Sequence, residues 1–248
     1  NKNEIRELAA NAVNPVTGEA LNLTKLDIKG LGKAKYILKE GGTLGDLYTT
    51  SNLRFNDNGY VEVDKNGNLL MTDEGEDIYL GSVFPNHNLA WRNDFSYKGI
   101  NLGVLFTARL GGVCYSATQA NLDLYGVSEA SAAARDAGGV LINGREMVDA
   151  QKWYQAIGSQ SGLPQYYLYS ATNVRLQELS LGYTFPRKWF RNKLGLTVSF
   201  VGRNLWMIYC KAPFDPEAVA STGLNYQGID YFMMPSMRNL GFNVQFQF

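Results

Sequence analysis

The strongest constraint on the fold is an uninterrupted alternation over the last nine residues of the sequence. Across residues 240–248 every second side chain is Leu, Phe or Val, and those between are Gly, Asn or Gln. Successive side chains of a β-strand point to opposite faces, so the pattern predicts a strand with one apolar and one polar face. The length is close to the ~9–11 residues that a tilted strand needs to cross a bilayer. An edge strand of a soluble β-sandwich would show the same alternation.

The strands predicted upstream are long. Residues 87–97 and 100–110 alternate on both sides of a short turn, which predicts a hairpin with arms of about ten residues, against ~5–6 for a typical soluble strand. Residues 194–204 repeat the pattern. Residues 173–183 do so if a bulge near Gln177 and Glu178 restores one continuous apolar face. Shorter strands are predicted at 33–39 and 43–55, and a hairpin at 60–71.

The connections between the long strands alternate in length. Two are short, at residues 97–100 and at the basic, aromatic link 185–193, whereas two are long, at 111–172 and 205–239. Candidate helices fall at 128–135 and 145–157 in the first long connection. Short turns on one side and long loops on the other are typical of outer-membrane barrels.

Composition excludes several classes of function. Lys plus Arg equals Asp plus Glu, 23 of each, so a basic surface for nucleic acid is not expected. The single histidine, His87, cannot build a multi-histidine metal site, and Cys114 and Cys210 are too few for a disulfide scaffold. We predict two unpaired thiols, no metal and no cofactor. No set of catalytic groups converges by type and spacing, so we predict no catalytic residues and no enzyme.

Several motifs, in order and with compatible spacing over residues 81–248, resemble SusC/RagA-type TonB-linked outer-membrane transporters. They are NVRLQELSLGYTFP at 173–186, GRNL at 202–205, FDPE at 214–217, the closing strand at 234–248, FSYK at 95–98 and RLGG at 109–112.

This resemblance implies an all-β fold, an antiparallel transmembrane β-barrel segment with long extracellular loops. It would supply roughly the last six to eight strands of a barrel of about 22. Residues 1–248 would then be the carboxy-terminal part of a TonB-dependent receptor β-barrel, with the plug and amino-terminal domains absent from this chain.

The resemblance also implies a function and partners. Such transporters import oligosaccharides or peptides across the outer membrane of Gram-negative bacteria. A SusD-like surface lipoprotein covers the outer loops, and the TonB complex would act through the missing portion. The expected partners are therefore the remainder of the same barrel, the lipoprotein, the TonB complex and outer-membrane lipid, but no nucleic acid.

Three groups of residues are assigned on this basis. Sugar rings stack on aromatic faces, so loop aromatics are candidate substrate contacts, with ordinary loop packing as the alternative: Trp153, Tyr154, Trp206, Tyr209 and Tyr231. Charged residues on the polar strand faces are predicted to face the lumen: Arg92, Asp94, Arg109, Arg175 and Arg203. Aromatics at the strand ends are predicted at the membrane interface: Trp91, Trp189 and Phe248.

Two other interpretations stay open. One is a small structural or adhesive barrel that closes on eight strands and transports nothing, although such a barrel is filled by side chains and the polar faces here carry many small residues. The other is a soluble carbohydrate-binding β-sandwich. Extraction separates the classes, because a barrel requires detergent and a sandwich does not.

Overall fold

The computed structural model describes residues 2–9, 12–21, 23–72, 75–221, 223 and 226–248. The amino-terminal region forms a four-stranded antiparallel sheet of β1 (Lys25–Leu31), β2 (Ala34–Lys39), β3 (Asp46–Thr49) and β4 (Ile78–Ser82). Between β3 and β4 the chain folds into a ladder of isolated bridges, with Leu53 opposite Met71 and Val63 opposite Leu69. The hairpin predicted at 60–71 belongs to this ladder.

The next two strands, β5 (His87–Tyr97) and β6 (Ile100–Leu110), form the long hairpin predicted from the sequence. The first long connection then contains strands, helices and a 3₁₀ turn over residues 164–167. Its elements are β7 (Val113–Ser116), α1 (Ala117–Leu124), α2 (Glu129–Asp136), β8 (Val140–Ile142), β9 (Glu146–Val148), α3 (Ala150–Gly158) and β10 (Leu168–Ser170).

The remaining elements are β11 (Asn173–Phe185), β12 (Gly195–Cys210), β13 (Ile229–Asp230) and β14 (Asn239–Gln247). A second 3₁₀ turn, Arg187–Phe190, links β11 to β12. The main sheet has the order β14-β12-β11-β6-β5 and is antiparallel throughout. Each strand pairs with the strand of this sheet that comes before or after it along the chain. Within the described ranges, β5 and β14 each pair on one side only.

The register places like residues in rows across all five strands. One row runs through Phe95, Leu102, Leu181, Phe200 and Phe242. The adjacent row, on the other face, is Ser96, Asn101, Gly182, Ser199 and Asn243. Since directly opposed residues share a face, the sheet has one apolar and one polar surface.

The predicted bulge in β11 keeps the apolar residues of this strand on one face of the sheet. Leu176 pairs with Phe106 and Glu178 with Leu105, which leaves Gln177 unpaired. The extra residue reverses the phase of the alternation, so the apolar residues before and after it remain on one face.

The apolar surface is not covered by a second layer. Phe242 is 80% exposed and Phe246 56%, and within the described part of the chain no sheet packs against either. Burying one such side chain is worth about 1.5–3 kcal/mol in water. A face of this size left bare is therefore inconsistent with the β-sandwich interpretation.

The packed core lies beyond one end of this sheet. It is formed jointly by the amino-terminal sheet and the two long connections, through buried side chains such as Tyr36, Leu47, Leu163 and Ile229. Both long connections therefore belong to one compact unit, which we call the loop cap: residues 25–86, 111–172 and 211–238.

The structure revises several predicted boundaries. The main sheet contains five strands among the described residues, and the strands predicted at 33–39 and 43–55 lie in the loop cap. β12 continues to Cys210 rather than ending at 204. Helix α2 matches its prediction, whereas α3 begins at Ala150 because residues 146–148 form a strand and Asp149 caps the helix. Both Cys114 and Cys210 are free.

No helix in the described ranges is both long and apolar enough to cross a bilayer.

Candidate functional site

A ladder of charges crosses the polar face of the main sheet. Arg92 donates to Asp94 through Nε at 2.9 Å and to Glu178 through Nη1 at 3.3 Å. Arg203 donates from Nε to the other oxygen of Glu178 at 3.0 Å. The ladder joins β5, β11 and β12, and it brings together three of the five residues predicted to face the lumen. Exposed pairs of this kind contribute little to stability, so the ladder chiefly defines a polar surface.

Arg175 and Arg109 make other contacts. Arg109 donates from Nη2 to the Val83 carbonyl at 2.8 Å, which ties β6 to the loop cap. Arg175 is almost fully buried and forms a two-bond ion pair with the carboxylate of Asp215, with Nη1 3.1 Å from Oδ2. Glu217 lies 3.5 Å from the same guanidinium.

The pair extends into a closed network that we call the Arg175 clamp: Asn173, Arg175, Asp215, Glu217 and Ser236. Arg175 Nε donates to Asn173 Oδ1 at 2.9 Å, and Asn173 Nδ2 donates to Glu217 at 3.2 Å. The Ser236 hydroxyl donates to Asp215 at 2.6 Å. Two of the motifs singled out in the sequence, at 173–186 and 214–217, are therefore the two halves of one contact.

The clamp determines the charge state of Asp215. Burial by itself would raise the pKa of this carboxyl. The hydrogen bonds from Arg175 and Ser236 and the charge of Arg175 outweigh burial and lower the pKa to about 2. Asp215 is thus ionised at any physiological pH, and the second long connection is fastened to β11 through a permanent ion pair.

An open cleft of about 530 Å³ adjoins the clamp, lined by residues that include Asn204, Met233 and Arg238. It lies on the polar side of β12, because its wall contains Met207, which pairs with Arg175. The cleft combines apolar walls with exposed and buried guanidinium groups.

The predicted substrate aromatics fall into two groups. Trp153, Tyr154 and Tyr231 lie in the loop cap: Trp153 packs edge-to-face on Tyr166 at 5.9 Å, and Tyr154 lines a cavity of about 180 Å³. Tyr231 is half exposed and packs edge-to-face on Phe232 at 5.3 Å.

Trp206 and Tyr209 lie elsewhere, because β12 extends through them. Trp206 pairs with Leu176 and Tyr209 with Val174, so both side chains share the apolar face. Trp206 is 61% exposed there, in the same row as Trp91, which stacks on Phe106 at 5.8 Å.

Aromatic residues bound the apolar face at both ends. Near the loop cap are Trp91, Trp206 and Tyr209, whereas Tyr97, Phe185 and Trp189 lie at the short-turn end. Trp189 is largely exposed and its ring lies 5.8 Å from that of Phe185. Phe248 is almost fully exposed at the same end.

The height of this face can be obtained from β11. From Val174 to Phe185, allowing for the bulge, the strand rises about 34 Å. At a tilt of about 40° this projects to about 26 Å, which matches the ~25 Å apolar band, flanked by aromatic girdles, of outer-membrane barrels. The arrangement is that of a transmembrane β-barrel wall: one apolar and one polar face, short turns at one end and a loop cap at the other.

Comparisons with known proteins agree with this class. The chain is 25% identical over 198 residues to the TonB-dependent receptor P3 of Formosa agariphila, a match covering 75% of this chain and 19% of the relative. It superposes on the RagAB peptide importer with a TM-score of 0.59 in the open-open state, at 19% identity, and 0.55 in the closed-closed state, at 21%. Those matches cover 98% and 92% of this chain. No family model matches the sequence.

These findings confirm the resemblance to SusC/RagA-type TonB-dependent transporters and the antiparallel barrel-segment fold. The chain spans about a fifth of the curated relative and a quarter of each solved chain.

Sequence reasoning did not find the Arg175 clamp. It assigned Arg175 to the lumen-facing charges and did not pair it with Asp215. The available signal was an arginine in the strand motif at 173–186 and two carboxylates in the loop motif at 214–217. Their separation of 40 residues along the chain conceals the pairing.

Proposed function

We propose that the chain is part of the wall and outer loops of a TonB-dependent outer-membrane transporter that imports oligosaccharides. The observation that carries the proposal is the main sheet, whose uncovered apolar rows match the thickness of a bilayer while its other face is polar. Such a surface is stable only against lipid on one side and water on the other. In this proposal the apolar face contacts lipid, and the Arg92–Glu178–Arg203 ladder lines the lumen.

The proposed partners follow from this placement. The remainder of the barrel pairs with the outer edges of β5 and β14. A SusD-like surface lipoprotein covers the loop cap, in keeping with the lipoprotein-paired architecture that the resemblance implies. The TonB complex supplies energy through a portion of the transporter outside this chain. No catalytic role is proposed.

Substrate contact is proposed at Tyr154 and Tyr231 of the loop cap, of which the first lines a cavity and the second is half exposed. Trp153 is proposed as a third substrate contact, and its ring also packs against Tyr166. Trp206 and Tyr209 are proposed as interface anchors instead, together with Trp91, Trp189 and Phe248, because they share the lipid-facing side.

A peptide substrate is the second candidate. It is favoured by the cleft beside the clamp, where Arg238 and the Arg175–Asp215 pair place charges of both signs among apolar side chains. The structural neighbours named above are described as a peptide importer, which makes this class worth testing directly.

The test is uptake by cells that carry the full-length transporter. A starch-derived oligosaccharide pool and a tryptic casein digest, each fluorescently labelled, are supplied separately to wild-type cells, to cells lacking the transporter and to cells lacking TonB. Loss of oligosaccharide uptake in both deletion strains is expected. Tyr154→Ala with Tyr231→Ala should reduce uptake several-fold, whereas Tyr60→Ala, at an exposed loop-cap tyrosine outside that cavity, serves as the control. Uptake that is indifferent to both deletions, or a transporter that washes off membranes without detergent, would refute the proposal.

A further inference from the structure

The short-turn end of the main sheet carries a concentration of positive charge. We call this region the basic rim: residues 95–101, 183–197 and 243–248. It contains five basic side chains and no Asp or Glu. The basic residues are Lys98, Arg187, Lys188, Arg191 and Lys193. Because the whole chain is neutral, removing these five leaves 18 basic against 23 acidic residues, so the charge is strongly segregated.

The cations of the rim are available to a partner. Lys188, Arg191 and Lys193 are exposed, and among the described residues none of the three has an ion pair. In β5 the acidic side chain next to the rim is Asp94, which is engaged by Arg92 on the polar face. Arg187 differs, because its Nε lies over Gly195 on the polar side. Its guanidinium is therefore not counted among the cations that face a partner.

The same end of the sheet carries exposed aromatic rings on the apolar side. Trp189 stands between two of the cations in sequence and packs on Phe185. The amine of Lys98 lies 5.1 Å from the ring centre of Tyr97, which is itself on the apolar face and 69% exposed. Cations adjoin interfacial aromatics at the depth where lipid phosphates lie.

We propose that the basic rim is a binding surface for anionic glycerophospholipid, with Lys98, Lys188, Arg191 and Lys193 holding the phosphate groups and Trp189 packing beside the glycerol region. The inference rests on the proposed membrane position of the sheet. An acidic protein would also suit the charge, but it would not account for aromatic anchors on the lipid side of the same turns. The rim thus has a ligand of its own, separate from the transported substrate.

The effect expected from charge is large. Each Lys or Arg close to an anionic membrane surface contributes roughly a fivefold preference. Neutralising three should therefore lower the preference for anionic over zwitterionic lipid by up to roughly a hundredfold. The preference should also fall at high salt, because the rim is exposed and screened.

The test is native mass spectrometry of the full-length detergent-purified transporter with equal amounts of phosphatidylglycerol and phosphatidylcholine of matched acyl chains. Wild type should retain phosphatidylglycerol, and K188Q/R191Q/K193Q should lose most of that preference. K29Q/K65Q/K211Q removes three exposed loop-cap cations and should behave as wild type. K188R/K193R keeps the charge and should retain the lipid, which separates charge loss from misfolding.

Equal retention of both lipids by wild type, unchanged retention in K188Q/R191Q/K193Q, or an equal loss in the loop-cap control would overturn the proposal. Unchanged retention is also the result expected if the rim binds an acidic protein instead. Failure of the proposed membrane function would be visible earlier, as a protein that leaves the membrane fraction without detergent.

Discussion

At the scale of single residues, the Arg175 clamp is the contact on which the position of the second long connection depends. Arg175 and Asp215 have side chains only 3% and 7% exposed, so neither can exchange its partner for water. Removing one member of a buried pair leaves an uncompensated charge, which typically costs about 3–5 kcal/mol. The nearby Glu217 carboxylate partly compensates for a lost Asp215, which places the expected cost near the lower bound.

We therefore predict that Asp215→Asn in the full-length protein destabilises the attachment of residues 211–238 by about 3 kcal/mol. Hydrogen exchange of this segment should accelerate by on the order of a hundredfold, while exchange in β11 changes little. Asp57→Asn, in an exposed turn, is the matched control and should have no effect. Unchanged protection in Asp215→Asn would mean that the clamp is not what holds the connection.

The lowered pKa of Asp215 predicts how this attachment depends on pH. The carboxyl has a pKa of about 2 in the folded protein, below the ordinary value of about 3.9 for Asp. Its contribution is therefore fully present above pH ~4 and is lost as the pH falls through ~2, an effect on the order of 2 kcal/mol. Pepsin cleavage within 211–238, measured relative to an unfolded peptide substrate at each pH, should stay constant between pH ~5 and pH ~4 and increase below that. Asp215→Asn should be cleaved at a rate that lacks this acid step.

At the scale of elements, the two faces of β14 should respond in opposite ways to the same substitution. Phe242 belongs to an apolar row that lies within the apolar band, whereas Asn243 belongs to the polar row. Arginine at the bilayer midplane of a barrel costs about 2–4 kcal/mol on the lipid face. Phe242→Arg should therefore lower the free energy of unfolding of the full-length barrel in lipid vesicles by that amount.

Asn243→Arg places the same charge one residue away and should cost less than about 1 kcal/mol, because it faces water. Urea titration followed by the gel shift between folded and unfolded barrel measures both variants. Equal costs for the two would contradict the assignment of the faces, as would a larger cost for Asn243→Arg.

Elements with an intact alternation can be predicted from the sequence almost residue by residue. The pattern predicts β14 at 240–248, and the strand lies at Asn239–Gln247. The predicted β12 is too short because Asn204 takes a left-handed backbone with φ of 53°, and two residues, Asn204 and Leu205, lie opposite Gln177 alone. The alternation of residue types also ends there, because Asn204 is followed by four consecutive apolar residues at 205–208, so this part of the sequence resembles a loop although the strand continues to Cys210. For this reason the assignment of Trp206 and Tyr209 to substrate is not supported by their position in β12.

The loop cap is less accessible to sequence reasoning for a different reason. Helix α1 has only eight residues and depends on a Ser116 cap and on packing against α3, neither of which is a periodic signal. The clamp depends on contacts between residues 40 positions apart. Local patterns specify the long strands, whereas a short helix such as α1 and the choice among distant charged partners depend on the packed structure.

At the scale of the whole molecule, the open edges of the main sheet decide in what form the chain is stable. β5 and β14 are the two edge strands of the sheet, and within the described residues their outer backbone groups have no strand beside them. In lipid each unsatisfied backbone group costs several kcal/mol, and in water the apolar face is uncovered as well. The five-stranded sheet without further strands is therefore unstable in lipid and in water.

We therefore predict that residues 1–248 expressed alone aggregate, because the edge strands have unpaired backbone groups and the apolar face is uncovered. The same residues joined to the remainder of the barrel should be recovered in a folded form in detergent and not in aqueous buffer. Size-exclusion chromatography with and without detergent, together with circular dichroism, distinguishes these states. Because a soluble sandwich would give a monodisperse peak in water and a small closed barrel would give one in detergent without any partner, each alternative has its own outcome. Only a wall segment needs both the detergent and the missing strands.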